Sequence, residues 1–327
     1  MKRVLITGAT GFVGANLARR MLTEGHSVVL LVRPGSNRWR LHNIEKEAQI
    51  LELDLCNTEA IFQAVGRARP EWVFHLAAHG AYSWQSDFTQ MIQTNIIGTI
   101  NLVNACLKAG FESFINTGSS SEYGFKDHAV TEDELLEPNS DYAVTKASAT
   151  HFCLSLAKSY NAHITTLRLY SVYGIYEDPA RLIPALILNG LRGKFPLLVS
   201  PDIARDFVFI EDVEAAYLLA AQQKKYQPGA IYNVGTGIQT TLQQAVATAA
   251  KLMQIKEQPR WSSMPSRKWD TGTWVANNRK IKEELAWVPA YSFEKGFQKT
   301  LGLFRNNQGI LDFYEHASLV SSGKNRD

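Results

Sequence analysis

The chain has 327 residues, 45% of them apolar and 20% charged, with a net charge of +3. That length suits one large α/β unit or two intimate lobes and is ample for a substantial core. So small a charge excess argues against a nucleic-acid or polyanion partner, and no run reaches the ~18 consecutive apolar residues of a membrane span.

In chain order, apolar strand-like runs at 4–7, 27–32, 49–53, 72–77, 113–117 and 164–169 alternate with helical periods at 12–24, 58–65, 87–109 and 141–160. Near-continuous apolar strands separated by helices predict a parallel sheet covered on both faces. Asn57 is placed to cap the second helix, with Glu59 in its first turn, and Gly25 and Gly110 fall where helices should stop. Beyond 170 the pattern loosens into loops around Pro179, Pro184, Pro196 and Pro201. A helix at 210–223, a strand at 230–234 and helices at 241–253, 278–285 and 293–305 follow. The expected organisation is one α/β unit over 1–169, with 206–235 returning to it, and a smaller lobe from 170–205 and 236–317. Residues 318–327 are mostly polar and expected to be disordered.

Cys56, Cys106 and Cys153 are widely spaced and form no CxxC pair, so neither a disulfide framework nor a metal site is expected. The chain opens on a strand pattern at 3–7, without the apolar stretch and cleavage site of a secretory signal. A cytoplasmic protein is expected.

The first strand runs straight into Thr7-Gly8-Ala9-Thr10-Gly11-Phe12-Val13-Gly14 and then a helix. Gly8 permits a tight turn, Gly11 lets a pyrophosphate approach the backbone, and Gly14 lets the helix lie close on the sheet. Strand, glycine turn and helix at the head of a βαβ pattern give the context that makes this a dinucleotide site. NAD binders place an acid at the end of the second strand to bond the ribose 2′-hydroxyl. Here that strand ends Val32-Arg33-Pro34-Gly35-Ser36-Asn37-Arg38. Arg33, Ser36 and Arg38 suit a 2′-phosphate instead, which favours NADP(H) over NAD(H). Asp54, just after the third strand, is placed for the adenine edge.

Tyr142-Ala143-Val144-Thr145-Lys146 puts a phenol and an amine on one helical face. A nearby ammonium, together with a nicotinamide cation, is expected to lower the phenol's pKa and make it a general base. One element earlier, a strand runs into Gly118-Ser119-Ser120-Ser121-Glu122-Tyr123-Gly124. A serine at the carboxyl end of a parallel strand sits where ligands bind.

With these motifs the chain resembles the extended short-chain dehydrogenase/reductases, specifically the NAD-dependent epimerase/dehydratase group of nucleotide-sugar enzymes. Further matches are Asp54-Leu55, His75-Leu76-Ala77-Ala78, Asn95 with Gly98-Thr99, Arg168 through Gly174, and Arg205-Asp206-Phe207-Val208 before Asp212. The resemblance implies an α/β, Rossmann-type doubly wound parallel sheet with a smaller interleaved C-terminal α/β lobe. It implies a catalytic Ser119, Tyr142 and Lys146, and cofactor contacts from the glycine turn (Gly8, Thr10, Gly11, Phe12, Val13, Gly14) and from Leu55, Ala77, Ala78 and Asn95. It further implies that Arg205, with Arg267, reaches a nucleotide diphosphate, that His79 and Ser120 border the substrate, and that a homodimer forms through the helices at 87–109 and 141–160. Sugar 4,6-dehydratases of this group carry an acidic pair where this chain has Ser120-Ser121, which disfavours dehydration. Ser171, a substrate-side position in the resemblance, stands where many members have Asn. The leading expectation is an NADPH-dependent reductase of a 4-keto-6-deoxy nucleotide sugar. The alternatives are an epimerase with tightly held NAD(P), then a dehydratase, then a non-catalytic NADP-binding protein.

Overall fold

A computed structural model describes residues 1–82, 84–265 and 270–314. Arg267 and the 318–327 tail lie outside these residues.

The first half alternates as its periodicity dictates. β1 (Arg3–Thr7), α1 (Phe12–Thr23), β2 (Ser27–Val32), β3 (Gln49–Glu52), α2 (Thr58–Ala68) and β4 (Trp72–His75) come first. Asn57 caps α2 by accepting from the Ala60 N–H at 3.1 Å. The predicted 87–109 helix is α3 (Phe88–Met91), a π-helical segment (Ile92–Ile97) and α4 (Gly98–Ala109), ended at Gly110 with φ +82°. β5 (Ser113–Ser119), α5 (Asp141–Tyr160) and β6 (Ile164–Leu169) follow. Then come β7 (Ser171–Tyr173), α6 (Leu182–Gly190), β8 (Ala204–Arg205), β9 (Phe207–Phe209), α7 (Ile210–Gln222) and β10 (Ile231–Val234). β11 (Thr240–Thr241), α8 (Leu242–Met253), α9 (Arg279–Leu285) and α10 (Phe293–Asn306) complete the described elements.

Seven parallel strands form the central sheet in the order β10-β6-β5-β4-β1-β2-β3. Strand order reverses at β1, which pairs with both β2 and β4, so the crevice for a ligand opens there at the carboxyl ends. Alternate side chains of β1 go to opposite faces. Val4 and Ile6 join a core with α1 and α7, while Leu5 joins one with α2 and α4. A separate apolar cluster gathers Tyr173, Ile187, Phe207, Val246, Phe297 and Phe304 from the later elements.

Pro184 argues for a loop at 182–190, yet this stretch is helical. Pro184 sits in the first turn, where a missing N–H costs nothing. The run Leu182–Leu188 shows no helical period because α6 is buried on more than one side, with Ile183, Leu186, Ile187 and Leu188 all inside. Among the described residues, no helix is long and apolar enough to cross a membrane.

Candidate active site

The glycine turn is built as its spacing predicts. Gly8 has φ +69°, and a Cβ there would lie 2.5 Å from the Ala77 backbone nitrogen. A Cβ on Gly14 would lie 2.3 Å from the Gly8 carbonyl oxygen. Only glycine lets β1, α1 and the end of β4 meet this closely. α1 starts at Phe12 after Gly11 with no side-chain cap, which leaves the first-turn amides of Phe12, Val13 and Gly14 to an anion. The turn therefore fits a dinucleotide pyrophosphate. Thr10 lends its carbonyl to Arg40 Nη1 at 3.2 Å.

Behind the turn, the Thr99 hydroxyl donates to the Asn95 carbonyl at 2.7 Å, so it accepts from His75 Nε2 at 2.8 Å. His75 Nδ1 then accepts from the Thr7 hydroxyl at 2.7 Å. Thr7 Oγ1 in turn accepts the N–H groups of Leu76 and Ala77, each at 3.2 Å. Burial, with Lys146 nearby, pulls the His75 pKa down to about 3, so the ring is neutral. Asn95 is fully buried. Its amide nitrogen donates to the His79 carbonyl and Thr145 Oγ1, and its oxygen accepts the His79 N–H. It thus pins the loop after β4 to the helix of Tyr142 and Lys146.

At the end of β2, Arg33 is exposed and near enough to His79 to depress its pKa, after the larger effect of burial. The Ser36 hydroxyl donates to the Arg33 carbonyl at 2.7 Å, and Arg38 pairs with Glu52 of β3. Of the three candidate phosphate ligands, one is therefore already engaged with a carboxylate. Asp54 is exposed and takes the Cys56 N–H at 2.9 Å, while Leu55 is buried against Gly98. Ala77 is half-buried and Ala78 exposed.

Ser119 ends β5, and Tyr142 lies in the first turn of α5. The Ser119 hydroxyl is near enough to the Tyr142 phenol to favour the phenolate, but burial outweighs it and pushes Tyr142 up to about 12. The expected acidic phenol invokes a nicotinamide cation as well as Lys146; in the protein alone burial sets the direction of the shift. In the chain by itself Tyr142 is a held acid, because desolvation dominates and Glu122 adds to it. Lys146 is 3% exposed, and burial lowers its pKa while Glu122 opposes that.

Two features are not evident from the sequence. Glu122 is fully buried and forms an ion pair with Arg168 of β6 at 2.8 Å. An arginine inside the strand run Ile164–Leu169, otherwise free of charge, was the available signal. Arg181, just before α6, donates to the Ala81 carbonyl at 2.7 Å and lies 4.8 Å over the Tyr82 ring. It is close enough to act on Tyr142 electrostatically. Nothing in the sequence marks Arg181, because the stretch that follows it reads as a loop and is helical only in the structure.

Ser120 lines a narrow crevice with Tyr170 and Trp274. Ser171 opens β7, and its N–H donates to the Asp206 carbonyl at 3.0 Å. Arg205 pairs with Asp270 at 2.8 Å and lies 5.7 Å over the Trp274 ring. Asp206 caps the turn after β10, accepting from Thr236, Gly237 and Ala276 N–H groups at 2.7–3.0 Å. Among the described residues, no cluster of metal-ligating side chains occurs.

Residues 4–235 match the NAD dependent epimerase/dehydratase family. The chain is 30% identical to a UDP-glucose 4-epimerase of Mycolicibacterium smegmatis, over 93% of this chain and 99% of that protein. It is 27% identical to a dTDP-glucose 4,6-dehydratase of Neisseria meningitidis, over 99% and 100%. Among solved structures, a UDP-glucose 4-epimerase from Thermotoga maritima with UDP-glucose superposes with a TM-score of 0.83 at 28% identity, covering 92% of this chain and 98% of that one. A UDP-glucuronic acid 4-epimerase from Bacillus cereus, bound to UDP-glucuronic acid and NAD, gives 0.82 at 28% identity with the same coverage. A glycine turn at the sheet's switch point, a Ser-Tyr-Lys set on its carboxyl edge and these similarities have one explanation: the chain is an enzyme of the NAD-dependent epimerase/dehydratase family, within the extended short-chain dehydrogenase/reductases.

Proposed function

We propose that this protein reduces the keto group of a 4-keto-6-deoxy sugar carried on a nucleotide diphosphate, using NADPH. The observation that carries this reading is the Ser119–Tyr142 pair beside Ser120 and Ser121, with the neighbouring carboxylate, Glu122, committed to Arg168. Eliminating water from a sugar needs an acid and a base at the reacting carbons. This edge offers hydroxyls.

A substrate carbonyl oxygen between Ser119 and Tyr142 would accept from both. Ser119 polarises the carbonyl, and Tyr142, protonated at neutral pH because burial holds it at about 12, supplies the proton. Lys146 stands one turn behind to stabilise the phenolate that results. The glycine turn, with the first-turn amides of Phe12, Val13 and Gly14, would hold a reduced nicotinamide dinucleotide, whose chemistry when bound would be hydride donation. Arg33 supports NADP(H), since no acid stands at the end of β2 to take a ribose hydroxyl. Arg205 and Arg267 are the candidates for the diphosphate. A homodimer through α4 and α5 would cover Ile97, Val144 and Phe152, which are 38%, 43% and 44% exposed.

The second reading is an epimerase, favoured by the similarity to UDP-glucose 4-epimerase. Purified protein incubated with a panel of nucleotide sugars, with and without NADPH, separates the two. Stoichiometric loss of NADPH absorbance is expected for the reductase, whereas isomer interconversion without net consumption would replace it with the epimerase. Tyr142→Phe should abolish turnover and spare dinucleotide binding.

A further inference from the structure

We infer that Glu122, paired with Arg168, is a positioning residue for Ser119, Tyr142 and Lys146, fixing their relative placement and the charge around them. The inference rests on the oxidoreductase reading above.

The geometry is a three-way tie. Glu122 Oε1 accepts the Ser119 N–H at 2.8 Å and the Thr150 hydroxyl at 3.1 Å. Oε2 accepts Arg168 Nε at 2.8 Å. Thr150 lies one turn beyond Lys146 on α5, so a single carboxylate joins β5, α5 and β6 directly beneath the reacting groups. Gly118 makes the room: a Cβ there would lie 2.8 Å from Oε1 and 3.0 Å from Arg168 Cγ. Arg168 Nη1 continues the network to the Tyr123 hydroxyl at 2.8 Å, which donates to Asn233 Oδ1 of β10 at 2.8 Å.

A buried ion pair is a poor stabilising device, because desolvation offsets its attraction and an apolar pair of the same volume often does as well. What the charge does is local. The ionisable groups around Glu122 are Arg168, Lys146, the phenols of Tyr142 and Tyr123, and the Cys153 thiol. Glu132 sits on the far side of Arg168, offering its carbonyl to Nη1 at 3.3 Å. The Glu122 carboxylate favours the protonated forms of Lys146 and Tyr142. Removing it leaves the Arg168 cation uncompensated, which favours the deprotonated forms.

The test is the pH profile of reductive kcat. In Glu122→Gln, which keeps the shape and an acceptor, the basic limb should move down by about one pH unit, with NADPH affinity by fluorescence unchanged. Glu122→Gln/Arg168→Met, neutral at both positions, should bring the limb back towards the parent enzyme. An unmoved limb in Glu122→Gln, or identical limbs in single and double variants, overturns the inference. Should Glu122→Gln not fold, Thr150→Val cuts only the tie to α5. It should lower kcat several-fold with KM and NADPH affinity held, and an unchanged kcat would overturn the inference. Retained turnover in Tyr142→Phe would instead sink the reading beneath it.

Discussion

Thr7 and His75 share a hydrogen bond of 2.7 Å that locks the carboxyl end of β1 to that of β4, directly under the dinucleotide turn. The bond has a direction, since Thr99 accepts from the other ring nitrogen and leaves Nδ1 as acceptor. Thr7→Val should leave that nitrogen unpaired and release the Ala77 N–H, while the Leu76 N–H keeps the Thr7 carbonyl, costing about 1–3 kcal/mol in urea unfolding. NADPH affinity should fall with it. His75 titrates at about 3 when folded against an ordinary value of 6.5. The unfolded chain therefore binds the extra proton first, and stability is lost as pH falls from 6.5 towards 3. His75→Gln should flatten that decline, and an equally steep fall in the variant would contradict the assignment.

Gly14 tests the turn itself. An alanine methyl there would meet the Gly8 carbonyl oxygen at 2.3 Å and the Gly8 carbonyl carbon at 2.8 Å, both backbone atoms that cannot swing aside. Gly14→Ala should reduce NADPH affinity at least about tenfold, because α1 must tilt away from the sheet and take its first-turn amides with it. Gly66, in α2, would have nothing within 4 Å of an added methyl and serves as the control. Gly66→Ala should hold or raise the melting temperature, since alanine is the better helix former.

The parallel sheet and the glycine turn were legible because each rests on local chemistry. Strand runs such as Ser27–Val32 and Ile164–Leu169 are dominated by branched side chains, and the observed strands have those same bounds. Tyr142 and Lys146 were legible for the same reason, being one helical turn apart. What failed to show was whatever depends on contacts distant in sequence. α6 hides its period because several neighbours bury it. β7 and β9 are three residues each and exist through their mutual pairing. Glu122, just after the Ser120-Ser121 that stands in place of the dehydratase acids, shows no role until Arg168, 46 residues away, is seen to hold it. The sign of the Tyr142 shift also depends on burial, which periodicity does not report.

Arg33 and Arg38 look equivalent in sequence and are not. Arg38 is bound to Glu52, whereas Arg33 is exposed at the mouth of β2 within reach of His79. Arg33→Ala should weaken NADPH about tenfold or more, the worth of one charge-assisted phosphate contact, while NADH binding barely changes. Arg38→Ala should do less. Calorimetric titration with both dinucleotides checks this, and equal losses for NADPH and NADH in Arg33→Ala would remove the 2′-phosphate assignment.

Glu177 gives the molecule a pH dependence opposite to that of His75. It is 8% exposed, one carboxylate oxygen is buried without a partner, and burial pushes its pKa up to about 8 even though Arg181 opposes the shift. The folded protein thus holds Glu177 protonated where the unfolded chain, near 4.5, has already ionised. Its contribution is fully present below 4.5 and is lost as pH rises through about 8. Glu177→Gln mimics the protonated acid and cannot ionise. Its melting temperature should match the parent's at acid pH and exceed it increasingly towards pH 8, because only the parent must then bury a charge or pull a proton from alkaline solvent. Thermal unfolding of both proteins across that range decides the matter: parallel curves would mean that Glu177 is ionised in the native state, held by Arg181 or Arg40, and that its burial costs less than the geometry implies.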